Sequence, residues 1–369
     1  MNLPPMDVAG RAGRLRARLA DVAEALLVTK LVNVRYLTGF TGSAGRLLVL
    51  PDRLVLVTDG RYGEQARAQL DAAGVDADVI VGLTMAAQNE TLASATMGSA
   101  VAFEADQVTV AEHHGMVGGW LAGTEELVES TGLVEGLRLQ KDDGEAARIE
   151  AAAAIASEAL DQLRGRLLDE PTELEFGIEL DLLMRRLGGS GPSFETIVAS
   201  GPNGAKPHHR PSDRRIAKGD LVVLDFGAKV DGYCSDMTRT VMVGSPSPTQ
   251  QRMLDVVTAS QAAGVAAVRA GATSVQVDEA CRAVIREAGW AEAFTHGTGH
   301  GVGLEIHEDP RVTWAVSTTL APGHVVTVEP GVYLADHGGV RIEDTVVVTA
   351  EGCRPLTHAP KEPDPTRWQ

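Results

Sequence analysis

Residues 220–244 read DLVVLDFGAKVDGYCSDMTRTVMVG. Two apolar, β-branched runs flank Asp231-Gly232, a dipeptide suited to the two-residue loop of a β-hairpin. With those residues as the loop, Gly227 faces Asp236 across the ladder. Asp225, two residues before Gly227, then points to the same face as Asp236. The two carboxylates become diagonal neighbours, roughly 7–8 Å apart at the backbone, close enough for their oxygens to share a cation. A bulge would break this register. Asp225 ends the apolar run LVVL, where a carboxylate needs a partner, whereas Asp231 reads as a turn residue.

A second pair of runs, HVVTVEPGVYL and VRIEDTVVVT (324–334 and 340–349), behaves alike. With an odd-numbered loop near Ala335–His337, Glu329 and Glu343 fall opposite each other. Arg341 shares their face and Asp344 points away. Pro330 suggests a local bulge or an edge. Both glutamates sit beside apolar residues, so two pairs of acids are expected in buried surroundings. Between the hairpins lies HGTGHGVGLEIHE (296–308), whose glycines permit tight backbone paths and whose histidines His296, His300 and His307 can turn into a crowded site. One imidazole, His300, with Asp225, Asp236, Glu329 and Glu343 makes a hard, oxygen-rich donor set. Such a set favours manganese, cobalt or zinc over a thiophilic metal. Four acids exceed the charge of one divalent ion, so two ions, roughly 3.5–4 Å apart, are the expected stoichiometry.

Upstream of the hairpins the texture differs. RAGRLRARLADVA and RYGEQARAQLDAAG read as helices, the latter stopped by Gly74. ALLVT, RLLVL, RLVLVT, VDADVIVG, AVAFE and EELVES read as strands. This alternation predicts an α/β domain. Near KDDGE (141–145) the chain turns into a long Ala-rich helix, followed by ELEFGIELDLLMRRLG and a Gly/Pro-rich stretch. We therefore expect an α/β N-terminal domain over residues 1–136 and an α+β catalytic domain over 137–369. The β-hairpin pairs suggest a pseudo-symmetric halving of the second.

The bulk properties narrow the function. A chain of 369 residues with 44% hydrophobic and 22% charged residues has enough apolar content for two folded domains. A formal net charge of −17 disfavours nucleic-acid binding and favours solubility. Cys234, Cys281 and Cys353 are odd in number and far apart, with no C-x-x-C. They point away from a disulfide framework or thiolate zinc site and toward a reducing cytoplasm. MNLPPMDVAGRAGRLRARLA lacks the apolar core of a signal peptide, and its arginines read as the start of a surface helix. No run is long enough to cross a membrane.

The set D…D…H…E…E resembles that of the pita-bread metallopeptidases: methionyl aminopeptidase, aminopeptidase P and prolidase. The flanking stretches FETIVASGPNGAKPHH (194–209), DFGAKVDGYCSDMTRT (225–240), HGTGHGVGLEIHE, VEPGVY (328–333) and VRIEDTV (340–346) carry the resemblance across most of the second domain. NVRYLTGFTGSAG (33–45) and TDGRYGEQA (58–66) resemble the extra domain of aminopeptidase P and prolidase, which methionyl aminopeptidase lacks. The resemblance implies a pita-bread catalytic domain and an Xaa-Pro exopeptidase, either aminopeptidase or dipeptidase, acting on short proline-containing peptides as a homodimer. It implies that Asp225 and Asp236 bind one metal with Asp236 bridging, and that His300 and Glu329 bind the other with Glu343 bridging. Glu329 would accept the proton of the attacking water. His208 matches the proton-shuttling histidine; its neighbour His209 is given no role. His296 and His307 match histidines that touch substrate, and Tyr333 and Arg341 match residues near the prolyl pocket. Phe194 departs from the aminopeptidase P pattern, standing where a tyrosine can hydrogen-bond the metal site.

Two other classes share the fold. A binding module of the histone-chaperone kind loses metal ligands, and a creatinase-like C–N hydrolase does not keep this ligand set. Metal content and dipeptide hydrolysis separate the three. For dipeptide selection, a free substrate carboxylate calls for an arginine. Arg341 sits among acids, so Arg46, beside a Gly-rich loop, is the candidate, acting from the same or a partner chain.

Overall fold

Apolar runs and amphipathic stretches alternate through the first third of the chain and give strands and helices in turn. A computed structural model describes residues 2–367, with one compact unit over Met6–Arg138 and a second formed by residues 2–5 together with the chain from Leu139 onward. The first unit contains α1 (Arg11–Leu19), β1 (Ala25–Val28), α2 (Leu31–Thr38), β2 (Gly45–Val49), β3 (Leu54–Thr58) and α3 (Gly63–Ala73). It continues with β4 (Asp78–Val81), α4 (Met85–Thr96), β5 (Ala100–Glu104), α5 (Val110–Gly115), β6 (Glu126–Ser130) and α6 (Glu135–Arg138). The sheet runs β4-β3-β2-β1-β5-β6, and Leu27, Leu48, Val57, Val101 and Phe103 fill its core. The helix α3 ends where Gly74 takes φ 66°, as a C-terminal glycine does. Among the helices that escape the sequence reading are α2 and α4. The stretch LVNVRYLT of α2 is rich in β-branched residues, and α4 buries only Leu92 and Thr96. Neither carries a clear apolar stripe.

The second unit begins with α7 (Asp143–Leu163), α8 (Glu173–Arg186), β7 (Ile197–Ser200), β8 (Leu221–Phe226), β9 (Lys229–Val230), β10 (Tyr233–Cys234) and β11 (Met237–Met242). Then follow α9 (Pro248–Ala267), α10 (Ser274–Glu287), β12 (Gly299–Gly301), β13 (Glu308–Val312) and β14 (Val325–Val328). The remaining strands are β15 (Gly331–Leu334), β16 (Gly338–Arg341), β17 (Asp344–Val348) and β18 (Cys353–Pro355). Each long helix opens on a capping box: Asp142 with Glu145, Thr172 with Glu175, Ser247 with Gln250, Thr273 with Gln276. The reciprocal hydrogen bonds satisfy donors a helix start would leave bare. Each half buries a helix pair on a sheet. Ile155, Leu160, Phe176 and Leu180 meet Val222, Leu224 and Met237 in one core. Met253, Val257, Val277 and Ile285 meet Val326, Val328 and Val346 in the other.

The two hairpins take the register that the spacing predicts. Asp231 and Gly232 both have positive φ, 46° and 78°, as a type I′ turn requires. Pairing runs Tyr233 with Val230, then Met237 with Phe226 and Thr238 with Asp225, so Gly227 stands opposite Asp236. A Cβ on Gly227 would lie 1.9 Å from the Ser235 carbonyl oxygen. In the second hairpin Gly331 pairs with Arg341 and Val328 with Asp344, so Glu329 stands opposite Glu343. At both positions the ladder opens and the amides look elsewhere. Glu343 N donates to Thr238 O (3.1 Å) and Glu329 N to Thr298 O (2.7 Å). These bonds draw both hairpins and the histidine segment to one point.

Candidate active site

Asp225, Asp236, His300, Glu329 and Glu343 all line one cavity of about 420 Å³. Donor atoms of Asp236, His300 and Glu343 lie within 4.8 Å of one another. His300 Nε2 stands 3.5 Å from Asp236 Oδ2 and 3.4 Å from Glu329 Oε1. Its orientation is set from behind: Nδ1 is 2.9 Å from the Gly301 carbonyl, and its backbone N donates to Thr327 Oγ1 at 3.0 Å. A proton on Nδ1 leaves the Nε2 lone pair facing the acids, the form that binds metal. The flanking glycines make this path possible. A Cβ on Gly299 would lie 2.0 Å from Thr327 O, and one on Gly301 2.2 Å from Asp309 O. Threonines two residues along each strand hold the acids: Thr238 Oγ1 donates to Glu343 Oε2 (2.8 Å) and Thr327 Oγ1 to Glu329 Oε1 (3.2 Å). Arg341 donates to Asp225 Oδ2 at 2.7 Å.

Electrostatics tests whether a cation belongs here. Burial, then the neighbouring acids, drives the carboxyl groups of Asp236 and Glu343 well above the usual carboxylate range. Burial likewise pushes Glu329 up to about 8, although Arg341 pulls it back. Burial holds His300 at about 3, so its imidazole is neutral. Four acids thus share one cavity with a guanidinium that bonds Asp225, and Asp225 Oδ1 and Glu343 Oε1 are buried with no hydrogen-bond partner among the described residues. Two orphaned carboxylate oxygens beside a free imidazole nitrogen are what a bound divalent cation would satisfy. The residues present fit the metal.

The sequence profile of metallopeptidase family M24 matches residues 147–350, and that of the creatinase/prolidase N-terminal domain matches residues 11–140. The chain belongs to metallopeptidase family M24. Uncharacterized peptidase YqhT of Bacillus subtilis is 41% identical over 345 residues, covering 92% of this chain and 95% of that one. An Xaa-Pro dipeptidase of Pyrococcus furiosus is 40% identical over 241 residues, 65% of this chain and 69% of that one. Among solved structures, an Xaa-Pro dipeptidase from Bacillus anthracis superposes with a TM-score of 0.89 at 37% identity, covering 97% of this chain and 99% of that one. An X-Pro aminopeptidase from Thermotoga maritima gives a TM-score of 0.86 at 32% identity, covering 95% and 98%. The pita-bread catalytic domain and the extra N-terminal domain are those of this family.

Around these five residues stand the others singled out in the sequence. His208, His296, His307 and Arg341 line the same cavity. The His307 ring meets His300 edge-on at 4.4 Å. His296 Nε2 lies 2.8 Å from Tyr333 Oη, and Arg341 Nη1 donates to that oxygen at 2.9 Å. Burial holds His296 near 4 and Tyr333 near 12, so this chain is Arg341, phenol and neutral imidazole. Arg341 also reaches Thr238 Oγ1 and the Pro207 carbonyl, so its guanidinium is fully engaged by protein. Phe194 lies on the wall with Ile197 and Ile306 and gives it an apolar face. Arg46 lies in the first unit, donating to Asn89 Oδ1 (2.8 Å) and Gln88 Oε1 (3.2 Å), 5.4 Å from the Trp120 ring.

Sequence reasoning missed Arg311, Thr238 and Thr327. The threonines were legible, each two residues from an acid and so on its face. Arg311 was not. It lies on β13, whose pairing with β12 shifts register between Gly299 and Gly301. It lines the cavity and has no hydrogen-bond or ion-pair partner among the described residues.

Proposed function

We propose that this M24 metallopeptidase is a dinuclear Xaa-Pro exopeptidase. The observation that carries the reading is the cluster of four acids and one neutral imidazole, with two unsatisfied carboxylate oxygens, facing a small cavity with an apolar wall. Relatives named Xaa-Pro dipeptidase and X-Pro aminopeptidase support the proline preference. A cavity of about 420 Å³ suits a short peptide. Asp225 and Asp236 would hold one ion and His300 and Glu329 the other, with Asp236 and Glu343 shared. The hard donor set favours manganese, with cobalt or zinc as substitutes. Bound divalent ions supply Lewis-acid activation of water and of the scissile carbonyl. Glu329 takes the proton of the attacking water and passes it toward the departing prolyl nitrogen. His208 donates to the developing oxyanion. His296 and His307 flank the substrate, Tyr333 orients His296, and Phe194, Ile197 and Ile306 form a surface for the pyrrolidine ring. Arg341 holds Asp225 and Tyr333 in place at the pocket's edge.

A dipeptidase must also bind a free carboxylate inside the site. Arg311 is an unengaged guanidinium on the wall, which supports that variant of the activity. Arg46, from this chain or a partner, is the second candidate. Arg311→Ala and Arg46→Ala assayed on Ala-Pro and on Ala-Pro-Ala assign the role. The responsible variant raises KM for the dipeptide by about tenfold or more and spares the tripeptide. Equal effects on both peptides by both variants contradict carboxylate recognition and leave an aminopeptidase. The three unpaired cysteines support a reducing cytoplasm, and we expect a homodimer, which light scattering in solution would check.

A further inference from the structure

His208 sits on a stretch with little regular structure. Between β7 and β8 the chain makes one short 3-10 turn at Gly201–Ala205 and otherwise no helix or strand. A side chain that must meet a reacting atom within a fraction of an ångström needs a firm mount.

That mount is Glu173, the first residue of α8 and wholly buried. Its carboxylate collects six donors from across the loop. Oε1 accepts from Ser200 N (2.8 Å), Ser200 Oγ (2.7 Å) and Asn203 Nδ2 (3.1 Å). Oε2 accepts from Ser212 N (3.1 Å), Ser212 Oγ (2.6 Å) and His209 Nε2 (2.9 Å). Burial pushes this carboxyl up, but the bonds from Ser212, Ser200 and His209 outweigh it and hold the group below its usual value. An ionised carboxylate only accepts, so His209 Nε2 carries a hydrogen. The helix start adds to the clamp: Glu173 N donates to Arg214 O (3.0 Å) and Leu174 N to Ser212 O (3.1 Å). On the opposite side Arg341 Nη1 holds the Pro207 carbonyl at 3.2 Å. The peptide that carries His208 is therefore gripped on both flanks.

We propose that Glu173 is a positioning residue for His208 and that His209 is the arm through which it acts. This gives the second histidine of the PHH motif a function. The Glu173 carboxylate ties the start, middle and end of the loop to one point, and His209 fixes the peptide next to His208. The proposal rests on the reading of His208 as the group that donates to the oxyanion.

The test is steady-state hydrolysis of Ala-Pro by the manganese-loaded full chain, with metal content measured for each variant. His209→Ala leaves Glu173 five donors, so the fold survives even if Glu173→Gln does not express. His209→Ala should lower kcat by about 10- to 100-fold with KM and metal content unchanged. His209→Gln, which keeps a donor, should recover most of it. His208→Ala should lower kcat by roughly 10²- to 10⁴-fold, and adding His209→Ala to it should cost nothing more. Loss of the same factor in both backgrounds, loss of metal, or an unchanged kcat in His209→Ala overturns the proposal. An unchanged kcat in His208→Ala overturns the reading of His208 itself, and the proposal with it.

Discussion

At Asp225 the two carboxylate oxygens have different fates: Oδ2 takes the Arg341 guanidinium, while Oδ1 is buried without a partner among the described residues. Glu343 repeats the pattern, Oε2 on Thr238 and Oε1 bare. Each acid is thus half-satisfied by protein and half-reserved. A buried oxygen without a donor costs on the order of 1–3 kcal/mol, which a cation would return as binding energy. Asp236 bears the arrangement most heavily, because burial and three neighbouring acids all oppose its charge. Asp236→Ala removes one of those repelling acids, so the variant should stay folded. It should lose most bound metal, and Ala-Pro turnover should fall by at least about 10³-fold; elemental analysis beside circular dichroism and kinetics checks this. Asp225, Glu329 and Glu343 were legible in the sequence because each ends or adjoins an apolar strand run, and Asp236 because the Asp231-Gly232 turn sets its register. Glu173 was not, because an acid at the first turn of a helix is ordinary, and only the folded loop shows what it binds.

Strand geometry explains why the site could be read at all. A period of two and an Asp-Gly turn fix every pairing in the first hairpin once the loop is known, and a three-residue loop does the same for the second. The histidine segment obeys no such rule. Its strand β12 shifts register against β13, so the facing of His300 and Arg311 could not be derived from spacing. What the sequence did carry was the glycine on each side of His300. Gly299→Ala would drive a methyl group into the Thr327 carbonyl at 2.0 Å. Because backbone cannot yield as a side chain can, we expect a loss of stability on the order of 3 kcal/mol and weaker metal binding through a displaced His300. Urea denaturation with and without manganese measures both; a variant with wild-type midpoints would contradict the packing argument. In the first unit, α2 and α4 went unread for want of an apolar stripe, whereas all six sheet strands announced themselves as apolar runs.

At the scale of the whole chain, a buried neutral imidazole makes stability depend on pH. Burial lowers His324, just before β14, to about 4, and its Nδ1 faces the Ala321 amide at 3.3 Å. Its free value is about 6.5, so as pH falls the unfolded chain takes up the proton first. The contribution of the neutral ring is whole above pH ~6.5 and drains away as pH falls toward ~4. His324→Gln should therefore lose less stability than the parent chain between pH 6.5 and 4.5, as urea midpoints across that window would record; parallel losses would contradict it. No described helix is long and apolar enough to cross a membrane, and the two cores of the second unit exist to bring two hairpins and one glycine-flanked histidine to a single cavity. On this reading the cavity holds the metal on which Xaa-Pro cleavage depends. The most direct test is to strip the protein with chelator and restore Mn²⁺ in steps, recording Ala-Pro hydrolysis against metal bound per chain. The rate should start near zero, rise with occupancy and level off at about two ions per chain. Full hydrolysis with no metal bound, or full occupancy with no hydrolysis, would contradict it.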